Sequence, residues 1–364
     1  MKIGHIVLMS AVCSTVYAEE VKIVGTIPLK LHNSASANSI NSRVDTSDTI
    51  QLLKIELSPH ARKNLAERAK TALSHTKQFA SNSLNTKYPS KVALGMNEVP
   101  VLNQGQHGTC VTFAVTAALN AILNKGDYVS QLCQLQLGNY LTKNAYTPSG
   151  WKGSIGRTVL NQIQMFGIVS KAQEQSQGCG GLYSYPIKPD EKTENSLTIE
   201  EYRKMSENLD ERISWSSILD YIQAFSDRVD TNQTLNQIKA SLNEGDRVTF
   251  GVLFSSLEFG VAGAIGKHHV ENDTWVLTSE IARDVFISPK FAGHEMVITG
   301  YDDDAIALDD HGNEHRGLLI LRNSWSEKAG DQGDFYMSYD YFKLLAIEAA
   351  RIRPVSEDQD NNEK

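Results

Sequence analysis

Four residues of this 364-residue chain have the types and settings that acyl transfer needs. Cys110 follows the glycine-rich stretch Asn103-Gln104-Gly105-Gln106-His107-Gly108-Thr109 and opens an apolar run that reads as a buried helix to Lys125, with Gly126 as its stop. Thr109 suits the N-cap. A helix N-terminus offers free backbone N–H groups and partial positive charge. Both favour a thiolate, the nucleophilic form of cysteine, and the same N–H groups can hold an oxyanion. Taken alone, Cys110 also reads as a core or disulfide cysteine. Gln104 lies six residues upstream across the glycine turn, where its side-chain amide can supply a second oxyanion donor. His294, in Gly293-His294-Glu295-Met296-Val297-Ile298, stands at a strand entrance, a rigid mount for a base. Ile298 occupies the place where a zinc-binding His-Glu-x-x-His would put its second histidine, so no metal is expected there. Asn323 closes the run Leu318-Leu319-Ile320-Leu321-Arg322. Its side-chain carbonyl can fix the second ring N–H of a histidine, and Trp325 can shield that bond from water.

The order Gln, Cys, His, Asn, together with Gly293-His294-Glu295-Met296, Gly300-Tyr301 and Asn323-Ser324-Trp325, resembles the papain-like (family C1) cysteine peptidases. Val92-Ala93-Leu94 and Val99-Pro100-Val101-Leu102 resemble that family's mature N-terminus, and the likeness covers roughly residues 87–345. It implies an α+β, papain-like two-lobed fold, with a helical N-terminal half, an antiparallel β C-terminal half and the active site between them. It also implies a protein or peptide substrate and no cofactor. Cys110 would be the nucleophile, His294 the base, Asn323 its holder and Trp325 a support. The Cys110 N–H and Gln104 would hold the oxyanion, and a thiolate–imidazolium pair would be the resting state. Gly153 and Ser154 resemble the family's substrate-binding glycine strip, which pairs with an extended peptide; an ordinary turn before a helix is the alternative. Cys133 and Cys179 are the candidates for a disulfide.

The chain departs from the family at four places. Val111 follows the nucleophile where an aromatic is frequent. His107 replaces a disulfide cysteine, and Ser326 replaces glycine after Asn-Ser-Trp. His294 lies 184 residues after Cys110, beyond the ~130–150 of the papain type. Insertions near 190–232 and 255–290 would account for the added length. These features point to a divergent, bacterial-type branch with altered pocket loops.

The elements that must carry these groups follow from pattern. Val21–Leu31 and Ile50–Leu57 alternate as strands do, and Ser58-Pro59 starts a helix. Thr158–Phe166 and Leu235–Asn243 read as helices; Val248–Phe254, Met296–Tyr301, Gly317–Asn323 and Phe335–Ser338 read as strands. Helices come first and strands second, the order of an α+β protein with two halves. Four sections result: a signal peptide at 1–18, a pro-region or appended segment at 19–86, a peptidase domain at 87–353 and a disordered acidic tail at 354–364. Residues 190–232 are polar and read as a surface insertion.

A net charge of −8 and a charged fraction of 21% give no basic face for nucleic acid. Lys2 and the short apolar stretch Ile6–Val16 form a leader too short to span a bilayer. The mature chain is therefore expected to be secreted, periplasmic or extracellular, with no stable membrane association and as a monomer. Three readings of function follow. The first is a secreted cysteine endopeptidase made as a precursor. The second is a related acyl-transfer enzyme, such as an aminopeptidase, transpeptidase or deamidase. The third is a non-catalytic binding protein on the same fold.

Overall fold

The computed structural model describes residues 20–31, 49–74, 88–227, 229–254, 265–288 and 290–355. The expected leader at 1–18 and the tail from residue 356 lie outside the described residues.

The N-terminal segment forms two antiparallel strands and a helix. β1 (Val21–Lys30) pairs with β2 (Thr49–Leu57), Val21 opposite Leu57 and Lys30 opposite Thr49. Helix α1 (Pro59–Ser74) follows at once. Its start is as the sequence predicts, with Ser58 Oγ accepting the Ala61 N–H at 3.0 Å. Ala61, Leu65 and Ala69 lie on its buried stripe.

The remaining elements are β3 (Lys91–Ala93), α2 (Cys110–Leu123), α3 (Gln131–Lys143), α4 (Gly156–Phe166), α5 (Lys171–Gln177), α6 (Ile199–Met205), β4 (Ile213–Leu219), α7 (Tyr221–Ala224), α8 (Thr231–Asn243), β5 (Arg247–Phe254), β6 (Gly266–Lys267), β7 (Glu271–Trp275), α9 (Ser279–Ile287), β8 (Phe291–Leu308), β9 (Glu314–Arg322), β10 (Asp334–Ser338), α10 (Tyr339–Leu345) and β11 (Ala346–Pro354). The long strand β8 is the hub. It pairs antiparallel with β5, β9, β3, β6 and β2. Outward from β5 the sheet continues to β11 and then β4. On the other side the pairings run from β8 through β6, β7, β10 and β9 and return to β8. Such closure removes exposed sheet edges.

Helix α2 packs on β8 and β5, and twelve of its residues, Cys110 through Ala121, are buried. It stops two residues earlier than read from sequence, because Asn124 takes the left-handed conformation at φ 52°. Residues 190–232 lie largely at the surface, as expected of an insertion, but part of the segment is built into the fold. Tyr202 and Phe225 have no exposed surface, and β4 pairs with β11 along the sheet edge. The strict division of helices before strands also gives way: β1, β2 and β3 precede α2, while α8, α9 and α10 lie among the later strands. Burial of a continuous sheet, rather than chain order, decides where those elements form.

Candidate active site

Cys110 is the first residue of α2 and has no exposed surface. The N–H groups of Cys110, Val111 and Glu295 face its sulfur. It is the one free cysteine among the described residues; Cys133 and Cys179 form a disulfide, Cα–Cα 5.2 Å. Thr109 precedes the helix without capping it. Its hydroxyl instead meets the Tyr185 hydroxyl at 2.9 Å, and Tyr185 donates to the Gln104 carbonyl at 2.7 Å. His107 packs edge-on against Trp151 and Tyr185, with Nε2 at 2.9 Å from the Pro186 carbonyl. An aromatic cluster thus pins the loop where the sequence lacks a cysteine. Tyr185 was not singled out by sequence; nothing local marks it.

His294 lies on β8, and its Nε2–H donates to Asn323 Oδ1 at 2.7 Å. The same oxygen accepts the Ser324 N–H at 2.7 Å, which fixes the amide plane. Nδ1, across the ring, is buried and has no protein partner. The Trp325 ring lies 4.8 Å from the imidazole, tilted by 32°, and is itself flanked by Trp275 and Phe335. The backbone N–H of Glu295, the residue after His294, lies near the Cys110 sulfur.

Gln104 is fully buried. Its Oε1 accepts the Ser324 hydroxyl at 2.9 Å, so its amide nitrogen is the end left to donate. Nε2 gives one bond to the His107 carbonyl at 3.0 Å and one to the Gln51 carbonyl at 2.9 Å. Ser324 therefore holds Gln104 from within Asn323-Ser324-Trp325, a role its place in that run made legible in principle but not in direction.

The Gln51 contact belongs to a larger arrangement. Strand β2 lies along β8, Leu53 opposite Gly293 and Ile55 opposite Phe291. Leu53 packs against Gly108 and Gly153, and Thr26 and Ile23 of β1 reach the same two glycines. Gly153 has φ +106°, and a Cβ there would meet the Leu53 methyl at 2.7 Å, so only glycine serves. The hairpin thus covers the ground between Gly153 and His294 and uses the Gln104 donor. Ser154 is 3% exposed, its hydroxyl 3.4 Å from the Pro148 carbonyl.

Covering sets the electrostatics. Burial pushes the Cys110 thiol up to about 12, and the nearby Glu295 carboxyl adds to the shift. Burial takes His294 down to about 4, against the Asn323 bond. Both directions disfavour the thiolate–imidazolium pair expected from sequence: with the hairpin in place, the site holds a neutral thiol and a neutral imidazole. The reason is loss of water from both groups.

Among the solved structures it resembles are cysteine proteases. Xylellain, a cysteine protease from Xylella fastidiosa, is 17% identical, with a TM-score of 0.48 over 77% of this chain and 93% of that one. The ragweed pollen allergen Amb a 11 in its proform is 16% identical, with a TM-score of 0.44 over 80% and 76%. The bromelain protease from Ananas comosus, in complex with the E64 inhibitor, is 17% identical, with a TM-score of 0.44 over 74% and 100%. No family model and no curated protein matches the chain. No helix among the described residues is long and apolar enough to cross a membrane.

Proposed function

We propose that the protein is a secreted cysteine endopeptidase, made as a precursor in which residues 19–86 are the covering pro-region. The observation that carries this is the 2.7 Å bond from His294 Nε2 to Asn323 Oδ1, with Nδ1 left bare next to a cysteine at a helix N-terminus. In this reading Nδ1 takes the Cys110 proton as the sulfur attacks the peptide carbonyl. Asn323 keeps the ring in the tautomer and orientation for that transfer. The Cys110 N–H and the Gln104 amide hold the oxyanion. His294 then protonates the leaving amine, and water hydrolyses the thioester. Gly153 and Ser154 would bind the substrate backbone in strand fashion once Leu53 and Ile23 of the hairpin leave Gly153.

The Gln51 carbonyl stands in for a carbonyl at the oxyanion position, with Gln104 already donating to it. Release of the hairpin readmits water, relieves both desolvation shifts and restores the reactive ion pair. A second reading, a binding protein whose cleft stays closed, is favoured by the same hairpin. One experiment separates the two. The secreted protein, before and after limited proteolysis in mild acid, is given a mixed peptide library alongside Cys110→Ser and His294→Ala. Cleavage that appears on loss of the N-terminal segment and is absent from both variants supports the peptidase. An intact N-terminus with no cleavage under either condition supports the binding protein.

A further inference from the structure

Two glutamates meet beside the site, and among the described residues no cation pairs with either. Glu295, next to His294 on β8, is opposite Gly251 on β5, and Gly251 is opposite Glu348 on β11. The three positions form one row across the sheet. Since Gly251 has no side chain, the two carboxyls close over it; a Cβ there would meet Glu348 Cγ at 2.9 Å. Both also converge on Gly156, the first residue of α4. Its N–H donates to Glu348 Oε1 at 2.9 Å, and a Cβ on it would lie 2.6 Å from Glu295 Oε1. Glu295 is 2% exposed, and neither of its oxygens closes a hydrogen bond among the described residues, although Thr249 and Glu348 adjoin it. The space left around the pair is about 10 Å³, room for one water at most and for no hydrated cation.

These surroundings decide where charge can sit. A buried carboxylate that closes no hydrogen bond is costly, so Glu295 is the member that stays a neutral acid. Glu348 has the positive end of α4 and the pull of exposed Arg157, and is the better seat for a single negative charge. Burial holds both carboxyls above the ordinary range, and the Glu348 charge adds to this at Glu295. The other ionisable groups bordering the pair bring no cation: Tyr221 is neutral, and Asp220 is committed to the N–H groups of Ile222 and Gln223. Towards the cleft stands Cys110 of α2, whose sulfur is close enough to feel the Glu295 charge. We infer that Glu295 and Glu348 share one proton, and that this proton sets the alkaline limit of the Cys110 thiolate. With the proton in place the pair carries one charge, seated at α4. When it leaves to solvent, a second negative charge stands near the sulfur and disfavours the thiolate. Glu295 touches no reacting atom; it is a positioning residue that acts through the charge on sulfur. The inference rests on the peptidase reading for its purpose, but thiol chemistry tests it apart from turnover.

The test uses the full chain nicked by limited proteolysis, with iodoacetamide as the probe of the Cys110 thiolate from about pH 5 to about pH 9, a range that spans the titration of buried glutamates. Glu295→Gln keeps an N–H donor toward Glu348 and cannot ionise. It is expected to label at the wild-type rate near about pH 5 and about tenfold faster near about pH 9, one decade being the effect of a like charge close by. A merely structural role would change the rate by the same factor at every pH. Wild type is also expected to show the infrared band of a protonated carboxyl at about pH 7, where ordinary carboxylates are ionised, and Glu295→Gln to lack it. Absence of that band from wild type would overturn the shared proton even if Glu295→Gln does not fold. Peptide cleavage is followed alongside. Superimposed labelling profiles with cleavage present would overturn the role of the pair and keep the peptidase. The tenfold divergence without cleavage at any pH would overturn the peptidase and keep the pair. Neither divergence nor cleavage would overturn both.

Discussion

Leu53→Ala should open the covered site. Leu53 is 4% exposed, pairs with Gly293 and lies against Gly108 and Gly153. Truncating a buried leucine costs about 2–5 kcal/mol. Taking about 2 kcal/mol, because a docked hairpin relaxes more than a core, the open fraction rises about 30-fold at 1.4 kcal/mol per decade. The assay is alkylation of Cys110 by iodoacetamide at neutral pH, read as intact mass and as the labelled peptide. Cys110 is the free cysteine of the described residues and has no exposed surface, so labelling reports opening. Leu53→Ala is expected to label about 30-fold faster than wild type, and Lys30→Ala, exposed at the far end of β1, at the wild-type rate. Amide protection of α2 should persist, separating hairpin release from unfolding. Equal rates for Leu53→Ala and wild type would refute the claim that the hairpin controls access.

Further outcomes follow from the same geometry. Gln104→Ala should lower kcat of the released enzyme by about 10²–10³-fold through loss of one oxyanion donor, and in the precursor it should speed Cys110 labelling because the Gln51 bond goes. Asn323→Ala should cut kcat by about 10²-fold with less effect on KM, since it frees the imidazole without touching the peptide; steady-state kinetics decide. With the hairpin in place, the His294 ring should stay neutral until about pH 4, followed by its imidazole NMR shifts. Its free form binds the proton near pH 6.5, so the His294 contribution to closed-state stability is present above that value and is lost as pH falls toward 4, while Glu295 and Glu348, shifted upward, act in the opposite sense. Replacing Cys133 and Cys179 by alanine opens a loop of 46 residues and should lower stability by about 3–4 kcal/mol, measured by denaturant unfolding.

What was legible in the sequence was chemistry confined to short runs. Gln104, Cys110, His294 and Asn323 each sit in a segment where the residue type and the turn or strand around it agree. Ser58-Pro59 gave the start of α1 for the same reason. What was not legible depends on distant partners. Thr109 looks like a cap, but Tyr185 takes its hydroxyl, 76 residues away. β11 contains Ala346-Ile347-Glu348-Ala349-Ala350, whose Ala and Glu favour a helix locally; pairing with β5 and β4 on either side overrides that preference. Glu348 could not be joined to Glu295 because only the sheet register brings them together. The hairpin strands were legible from alternation, but not their place along β8.

The central claim is that Cys110 is a nucleophile activated by His294 once the hairpin leaves. The most direct measurement is reaction of the protein, nicked in mild acid, with a peptidyl epoxide, comparing wild type, His294→Ala and Cys110→Ser by intact mass and peptide mapping. A single adduct on Cys110, formed rapidly in wild type, slowly in His294→Ala and not at all in Cys110→Ser, with peptide cleavage lost in parallel, is the predicted result. An unreactive Cys110 after the hairpin has been removed, or cleavage that survives in Cys110→Ser, would contradict it.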